Sequence, residues 1–278
     1  MSIKTIMCVV GLKVGDHDLQ SAISLCNENQ ARLLVLVLAF ASPPPIGDYA
    51  STISDVWLEE RTREIHKLKK RAATIAKLVE TAGVSASVQS EYLEFASAVD
   101  EIGRRGRCSD LTLIGSEALK SSVLKTKIIE GALFESARPL LIVPEGCIPT
   151  LTPKRILVAW DSRAEAARAM REALDMLVGA DEVHITIVDP DTSSSMNGPE
   201  PGADVGAYLA HHGAKVTVDR LPSGGAEIAD VLKQHAVDTA ADLIVMGGYG
   251  HSRLRERVFG GVTKSMIDDP TISILMAR

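Results

Sequence analysis

Apolar residues fall along this chain in short continuous runs, separated by stretches with helical spacing, and the order of these elements occurs twice. Lys4-Thr-Ile-Met-Cys-Val-Val10 and Lys154-Arg-Ile-Leu-Val-Ala-Trp160 open the two halves. Ser109-Asp-Leu-Thr-Leu-Ile-Gly115 and Ala241-Asp-Leu-Ile-Val-Met-Gly247 come later in each, and Pro139-Leu-Leu-Ile-Val143 and Thr271-Ile-Ser-Ile-Leu-Met276 close them. Partners are offset by 150, 132 and roughly 132 residues, so the first half carries a longer early insertion within the same unit.

Runs that are apolar on consecutive positions, such as Leu243-Ile-Val-Met246, suit strands buried on both faces of a parallel sheet. In the second half the pattern predicts strands at 155–160, 183–188, 215–220, 242–247 and 272–277, with helices at about 163–178, 202–212, 225–239 and 255–268. Ser162 with Glu165 three residues on predicts a capping box opening the first of these helices. The matching strands of the first half are predicted at about 3–10, 32–39, 85–92, 110–115 and 139–143. A long helix over about 54–82 carries Glu59, Glu60, Arg63, Glu64, Lys67, Lys70 and Arg71 as opposite-charge pairs, which predicts a solvated face. Alternating strands and helices mean an α/β fold: two tandem flavodoxin/Rossmann-like, doubly wound, five-stranded parallel sheets of order 3-2-1-4-5. The Gly/Pro-bearing segment 145–153 separates domains at 1–147 and 154–278. A (β/α)₈ barrel would need eight regular units, whereas ten strands in two sets of five are counted here.

Composition narrows the class. A chain of 278 residues with 46% hydrophobic residues is long enough for two cores and excludes wholesale disorder. The halves, divided at residue 150, hold 17 basic against 18 acidic residues and then 13 against 18, giving −1 and −5. Neither is a polycationic surface, which argues against nucleic acid as a partner. The longest apolar stretch, Leu33 to Ala41, is far short of the ~20 residues a membrane helix needs, so no membrane association is expected. Cys8, Cys26, Cys108 and Cys147 form no CxxC, and with no signal-peptide pattern they read as free thiols of a cytoplasmic protein.

Ligands of open parallel sheets sit at the carboxyl ends of the strands, where the winding reverses, here between strands one and four of each half. In the second half those ends carry Trp160-Asp161-Ser162 and Met246-Gly247-Gly248-Tyr249-Gly250. Gly260-Gly261-Val262-Thr263 then precedes an apparent helix start, where free N–H groups and the helix dipole attract phosphate. Arg253, Arg255, Arg257 and Lys264 add local positive charge, and Asp161 can accept hydrogen bonds from a ribose or approach a phosphate-bound cation. There is no GxxxxGK[ST], and Gly248-Tyr-Gly250-His-Ser-Arg253 departs from GxGxxG.

Gly247-x₂-Gly250-x₉-Gly260, followed by Gly-Val-Thr263, resembles the G-x₂-G-x₉-G-[ST] signature of the universal stress protein family. The likeness runs from Ile156-Leu-Val-Ala-Trp-Asp161 through the last strand and continues more faintly through the first half. It implies a tandem member of the ATP-binding type, with Mg²⁺ as an accompanying ion. It further implies that Ala159, Asp161, Ile187, Met246, Gly247, Gly250, Gly260, Gly261, Val262 and Thr263 line the nucleotide site. Gly261 departs from the pattern, standing where the family carries Ser or Thr.

The first half departs further. Gly11 stands in the place of Asp161, no glycine falls ten residues after Ala118, and Glu117 sets a carboxylate near the phosphate position. That half is expected not to bind ATP and to act structurally, pairing with the second half through the last strands, with a homodimer as a further assembly. The leading function is thus a nucleotide-binding stress-response sensor or regulator. No Ser-His-Asp order or cleft of paired carboxylates marks a dedicated enzyme, which leaves at most slow ATP hydrolysis. The alternatives are an ATP-using α/β enzyme, either a hydrolase or a nucleotidyl transferase, and an interaction module that binds no nucleotide.

Overall fold

The computed structural model describes residues 3–12, 15–42, 55–190, 200–249 and 261–278. By contacts the chain divides into two units, Ile3–Ser136 and Ala137–Arg278. The sequence repeats part at 147–154, so this division assigns the last strand-like run of the first repeat to the second unit.

In the first unit, strands β1 (Thr5–Gly11), β2 (Arg32–Phe40), β3 (Ala86–Leu93) and β4 (Leu111–Ile114) lie in the order β3-β2-β1-β4. All three pairings are parallel, with Ile6 opposite both Leu33 and Leu111. The helices are α1 (His17–Asn29), α2 (Asp55–Thr81), α3 (Ala98–Gly106), α4 (Ser116–Lys120) and α5 (Ser122–Glu130). Both faces of β1 are covered, which is why six consecutive residues from Ile6 to Gly11 are buried and why the run is apolar without alternation. Only Leu68, Ile75 and Val79 of α2 are buried among its 27 residues. Its polar side carries the expected ion pairs, Arg63–Glu59 at 3.7 Å and Lys67–Glu64 at 2.8 Å.

The second unit contains β5 (Leu140–Ile142), β6 (Arg155–Ala159), β7 (Glu182–Val188), β8 (Val216–Leu221), β9 (Leu243–Gly247) and β10 (Ser273–Ala277), in the order β5-β10-β9-β6-β7-β8. From β6 to β10 this is the expected 3-2-1-4-5 winding. The difference from a plain five-stranded sheet lies in β5, which runs antiparallel to β10 with Ile142, Leu141 and Leu140 opposite Ile274, Leu275 and Met276. All six residues are buried, so this short apolar run covers an edge that β10 would otherwise leave open. The helices are α6 (Ala164–Glu172), α7 (Leu174–Gly179), α8 (Ala203–His211), α9 (Ile228–Asp238) and α10 (Gly261–Asp268). The single helix expected over 163–178 is therefore two, parted at Ala173.

The duplication extends to individual hydrogen bonds. Asp110 Oδ2 accepts from the N–H groups of Lys4 and Thr5 at 2.8 and 2.9 Å. Asp242 Oδ2 accepts from those of Lys154 and Arg155 at the same two distances. In each copy the aspartate that precedes the fourth strand ties down the start of the first. Cys8 and Cys26 are buried free thiols whose pKa burial raises, that of Cys26 to about 12. Among the described residues no helix is long and apolar enough to cross a membrane.

Candidate functional site

The reversal point of the second unit lies where β6 is flanked by β7 on one side and β9 on the other. Side chains alternate between faces along each strand. One row therefore joins Met276, Met246, Ala159, Thr186 and Asp219 across adjacent strands. Ala159 and Met246, two of the expected site residues, are direct neighbours in it. The next level projects from the opposite face and carries Gly247 and Ile187. Ile187 is 4% exposed and packs toward α8, where a Cβ on Gly202 would stand 2.7 Å from its Cδ1.

Gly247 has a reason of its own. A Cβ there would come within 2.6 Å of Ala166 N and 2.7 Å of Glu165 C, both backbone atoms of the first turn of α6. The missing side chain lets α6 lie directly on the end of β9. The close approach of α6 is thus by itself a demand for glycine at this position.

Asp161 follows β6 with its side chain 57% exposed. Its Oδ1 accepts from the N–H of Arg163 at 3.1 Å, and its Oδ2 lies 3.7 Å from Arg163 Nε. The capping box expected from Ser162 and Glu165 does not form. Ser162 takes a left-handed φ of 61°, which moves the N-cap to Arg163, and Arg163 makes no side-chain cap. Asp161 supplies the local turn instead. Trp160, beside it, has a buried indole N–H without a partner among the described residues.

Across from these, α10 begins at Gly261, which is exposed. No described atom lies within 4 Å of where its Cβ would be. Val262 is half-buried and Thr263 is 8% exposed, so Thr263 turns inward. Gly250 and Gly260, together with His251 and the arginines 253, 255 and 257, lie outside the described residues.

The corresponding region of the first unit is filled by its own carboxylates. Asp18, 3% exposed in the first turn of α1, accepts from the N–H groups of Glu117 at 3.1 Å and Ala118 at 2.8 Å, capping α4. Glu117 returns the contact, with Oε2 accepting from the N–H groups of His17 at 3.0 Å and Asp18 at 3.3 Å. Two glycines make room, since a Cβ on Gly115 would strike Asp18 and one on Gly15 would strike Glu117. Burial and the nearby Glu117 charge raise the pKa of Asp18 against the lowering effect of the two N–H groups. Ser121 Oγ meanwhile accepts from the N–H of Leu124 at the start of α5. Both helix starts that follow β4 are thus satisfied from within the protein. Glu117 was expected to repel phosphate, and the structure adds Asp18, which nothing in the local sequence marks.

Residues 152–278 match the sequence model of the universal stress protein family. They are a universal stress protein domain. The chain is also similar to Universal stress protein Slr1230 of Synechocystis sp. (strain ATCC 27184 / PCC 6803 / Kazusa), 31% identical over 146 residues. That match takes in 49% of this chain and 48% of the relative, about half the length of each. A crystal structure of a universal stress protein from Archaeoglobus fulgidus DSM 4304 shares the fold with a TM-score of 0.67 at 17% identity. It covers 98% of this chain and 96% of that one. In the universal stress protein domain no described atom thus lies within 4 Å of a Cβ built on Gly261 at the helix start, while the first repeat caps its own helix starts.

Proposed function

We propose that the universal stress protein domain binds an adenine nucleotide, ATP, across the carboxyl ends of β6 and β9, and that this occupancy is the input of a stress-response regulator. Asp161 accepts hydrogen bonds from the ribose. Ala159 and Met246 contribute apolar wall near the base from one face of the sheet, and Ile187 backs the site from the other. Main-chain N–H groups of Gly247, Gly250, Gly260, Gly261, Val262 and Thr263 receive the phosphates, helped by the positive end of α10.

The observation that carries this reading is the contrast between the two repeats. One fills its helix starts with Asp18, Glu117 and Ser121, whereas the other sets no described atom within 4 Å of a Cβ on Gly261 and keeps a half-exposed carboxylate at Asp161. The indole N–H of Trp160, without a partner among the described residues, is a further polar group at that end of β6.

Calorimetric titration of the full chain with ATP should saturate near one nucleotide per chain. Asp161→Ala should weaken binding by about tenfold or more, as expected for losing hydrogen bonds to a charged acceptor worth ~1.5–3 kcal/mol. No saturable binding overturns the proposal. Two equivalent sites overturn the assignment of the first repeat as closed.

A further inference from the structure

The second unit contains a group of polar side chains that the nucleotide reading leaves unused. His184 on β7, Asp219 on β8 and His235 on α9 converge on one point. His184 Nδ1 is 2.7 Å and His235 Nε2 is 2.9 Å from the same oxygen, Asp219 Oδ2. The two imidazole rings stand 6.0 Å apart and nearly perpendicular, at 87°. Among the described residues this is the only group of three such side chains whose ligand atoms all lie within 4.8 Å of one another.

These are not loose surface side chains. Their exposures are 15%, 21% and 17%, and each projects from a regular element. His184 pairs in register with Thr217, and Thr186 pairs with Asp219, so His184 and Asp219 share a sheet face, two residues out of step. Helix α9 lays His235 over that face. Glu182, two residues before His184, sets Oε2 4.0 Å from His184 Nε2, on the side of the ring away from Asp219. Thr186 is 1% exposed and its hydroxyl has no partner among the described residues. It stands level with Asp219 on the same face.

We propose that His184 Nδ1, His235 Nε2 and Asp219 Oδ2 bind a zinc-class divalent transition cation, with a fourth coordination position left to water. Two imidazole nitrogens and a carboxylate oxygen match the donor preference of zinc, whereas magnesium and calcium favour all-oxygen sets. Three protein ligands from rigid elements, with partial exposure, are the arrangement of an open zinc site. Tetrahedral bonds of about 2.0–2.1 Å place ligand atoms about 3.3 Å apart, so the present 2.7 and 2.9 Å would open by only about half an ångström. No net proton transfer to solvent is needed when both imidazoles are neutral. The proton of His184 moves from Nδ1 to Nε2, where the Glu182 carboxylate faces it, and that of His235 moves from Nε2 to Nδ1. A metal-bound histidine backed by a carboxylate is a recurrent orienting arrangement, and the Thr186 hydroxyl is a ready partner for a bound water.

The test uses the full chain, stripped of metal with a chelator, free of nucleotide, and titrated with Co²⁺. One saturable site per chain is expected, with visible ligand-field bands that equimolar Zn²⁺ abolishes. His235→Ala and Asp219→Asn should each weaken binding at least tenfold, while His211→Ala, in the exposed pair at the end of α8, should leave it unchanged. X-ray absorption at the zinc edge of the one-to-one complex needs no variant, and should show a shell of nitrogen and oxygen with two imidazoles. Absence of saturable binding overturns the proposal. So does a sulfur-containing shell, or binding that survives loss of His235 or Asp219 in variants whose circular dichroism is native.

Discussion

The glycine at 247 can be asked directly which of its two duties it performs. A methyl group in Gly247→Ala would sit 2.6 Å from Ala166 N and 2.7 Å from Glu165 C. Ordinary contact requires about 3.4 Å or more, so the first turn of α6 must retreat by about 0.8 Å from β9. That turn has little freedom, because α6 also buries Ala166, Ala169 and Met170 against the sheet. Overpacking of this kind costs about 1–3 kcal/mol, which in a domain of this size lowers the melting temperature by roughly 4–12 °C. The control is Gly261→Ala, whose Cβ meets no described atom within 4 Å and which should be neutral or slightly stabilising because it adds a better helix former. The assay is thermal and urea denaturation without nucleotide, followed by Trp160 fluorescence in a Trp57→Phe background. If Gly247→Ala melts within a degree of the parent, the close approach of α6 is not what requires glycine there. The ligand would then be its only reason.

Two further outcomes concern the first unit. Asp18→Ala strips two main-chain N–H groups of a buried charged acceptor and should cost about 2–4 kcal/mol in urea denaturation, with a cost below 1 kcal/mol contradicting the reciprocal cap. Glu101, bonded to Arg104 and to Arg105, has its pKa lowered because those partners outweigh the opposing effect of burial. A depressed folded-state pKa stabilises above the ordinary carboxylate range, and the benefit disappears as pH falls through the folded-state value. Glu101→Gln should therefore be less stable than the parent by about 1 kcal/mol at pH 7 and equal to it near pH 2. A difference that persists in acid would refute the ion-pair origin.

Much of the architecture could be read from the residues because each strand is an apolar run bounded by polar ends. Leu243-Ile-Val-Met246 is a strand on that ground alone, and its twin in the first half established the repeat. The pairing of Leu140-Leu-Ile142 with the last strand was expected from the family resemblance alone, since an apolar tripeptide does not by itself reveal that its hydrogen bonds will go to β10. Ser162-x-x-Glu165 resembled a cap by spacing, but a left-handed φ at Ser162 defeats it, and spacing carries no information about φ. Gly247 was legible as a glycine that matters and ambiguous as to why, because a ligand and a packed helix make the same demand. Asp18 and Glu117 are 99 residues apart, and His184, Asp219 and His235 span three elements, so no local motif unites either group. One signal was available for the latter. Polar residues at 184, 186, 217 and 219 alternate on two neighbouring strands, placing His184 and Asp219 on one face.

The mutual embrace of Asp18 and Glu117 gives the first repeat an anion that can never diffuse away. The starts of α1 and α4 therefore need no anion from solution. Under the proposed nucleotide reading, the second repeat borrows its negative charge from solution and gains stability as the logarithm of what is present there. On that proposal, one chain carries a fixed reference and a variable reading, and a change in nucleotide level registers in only one of them.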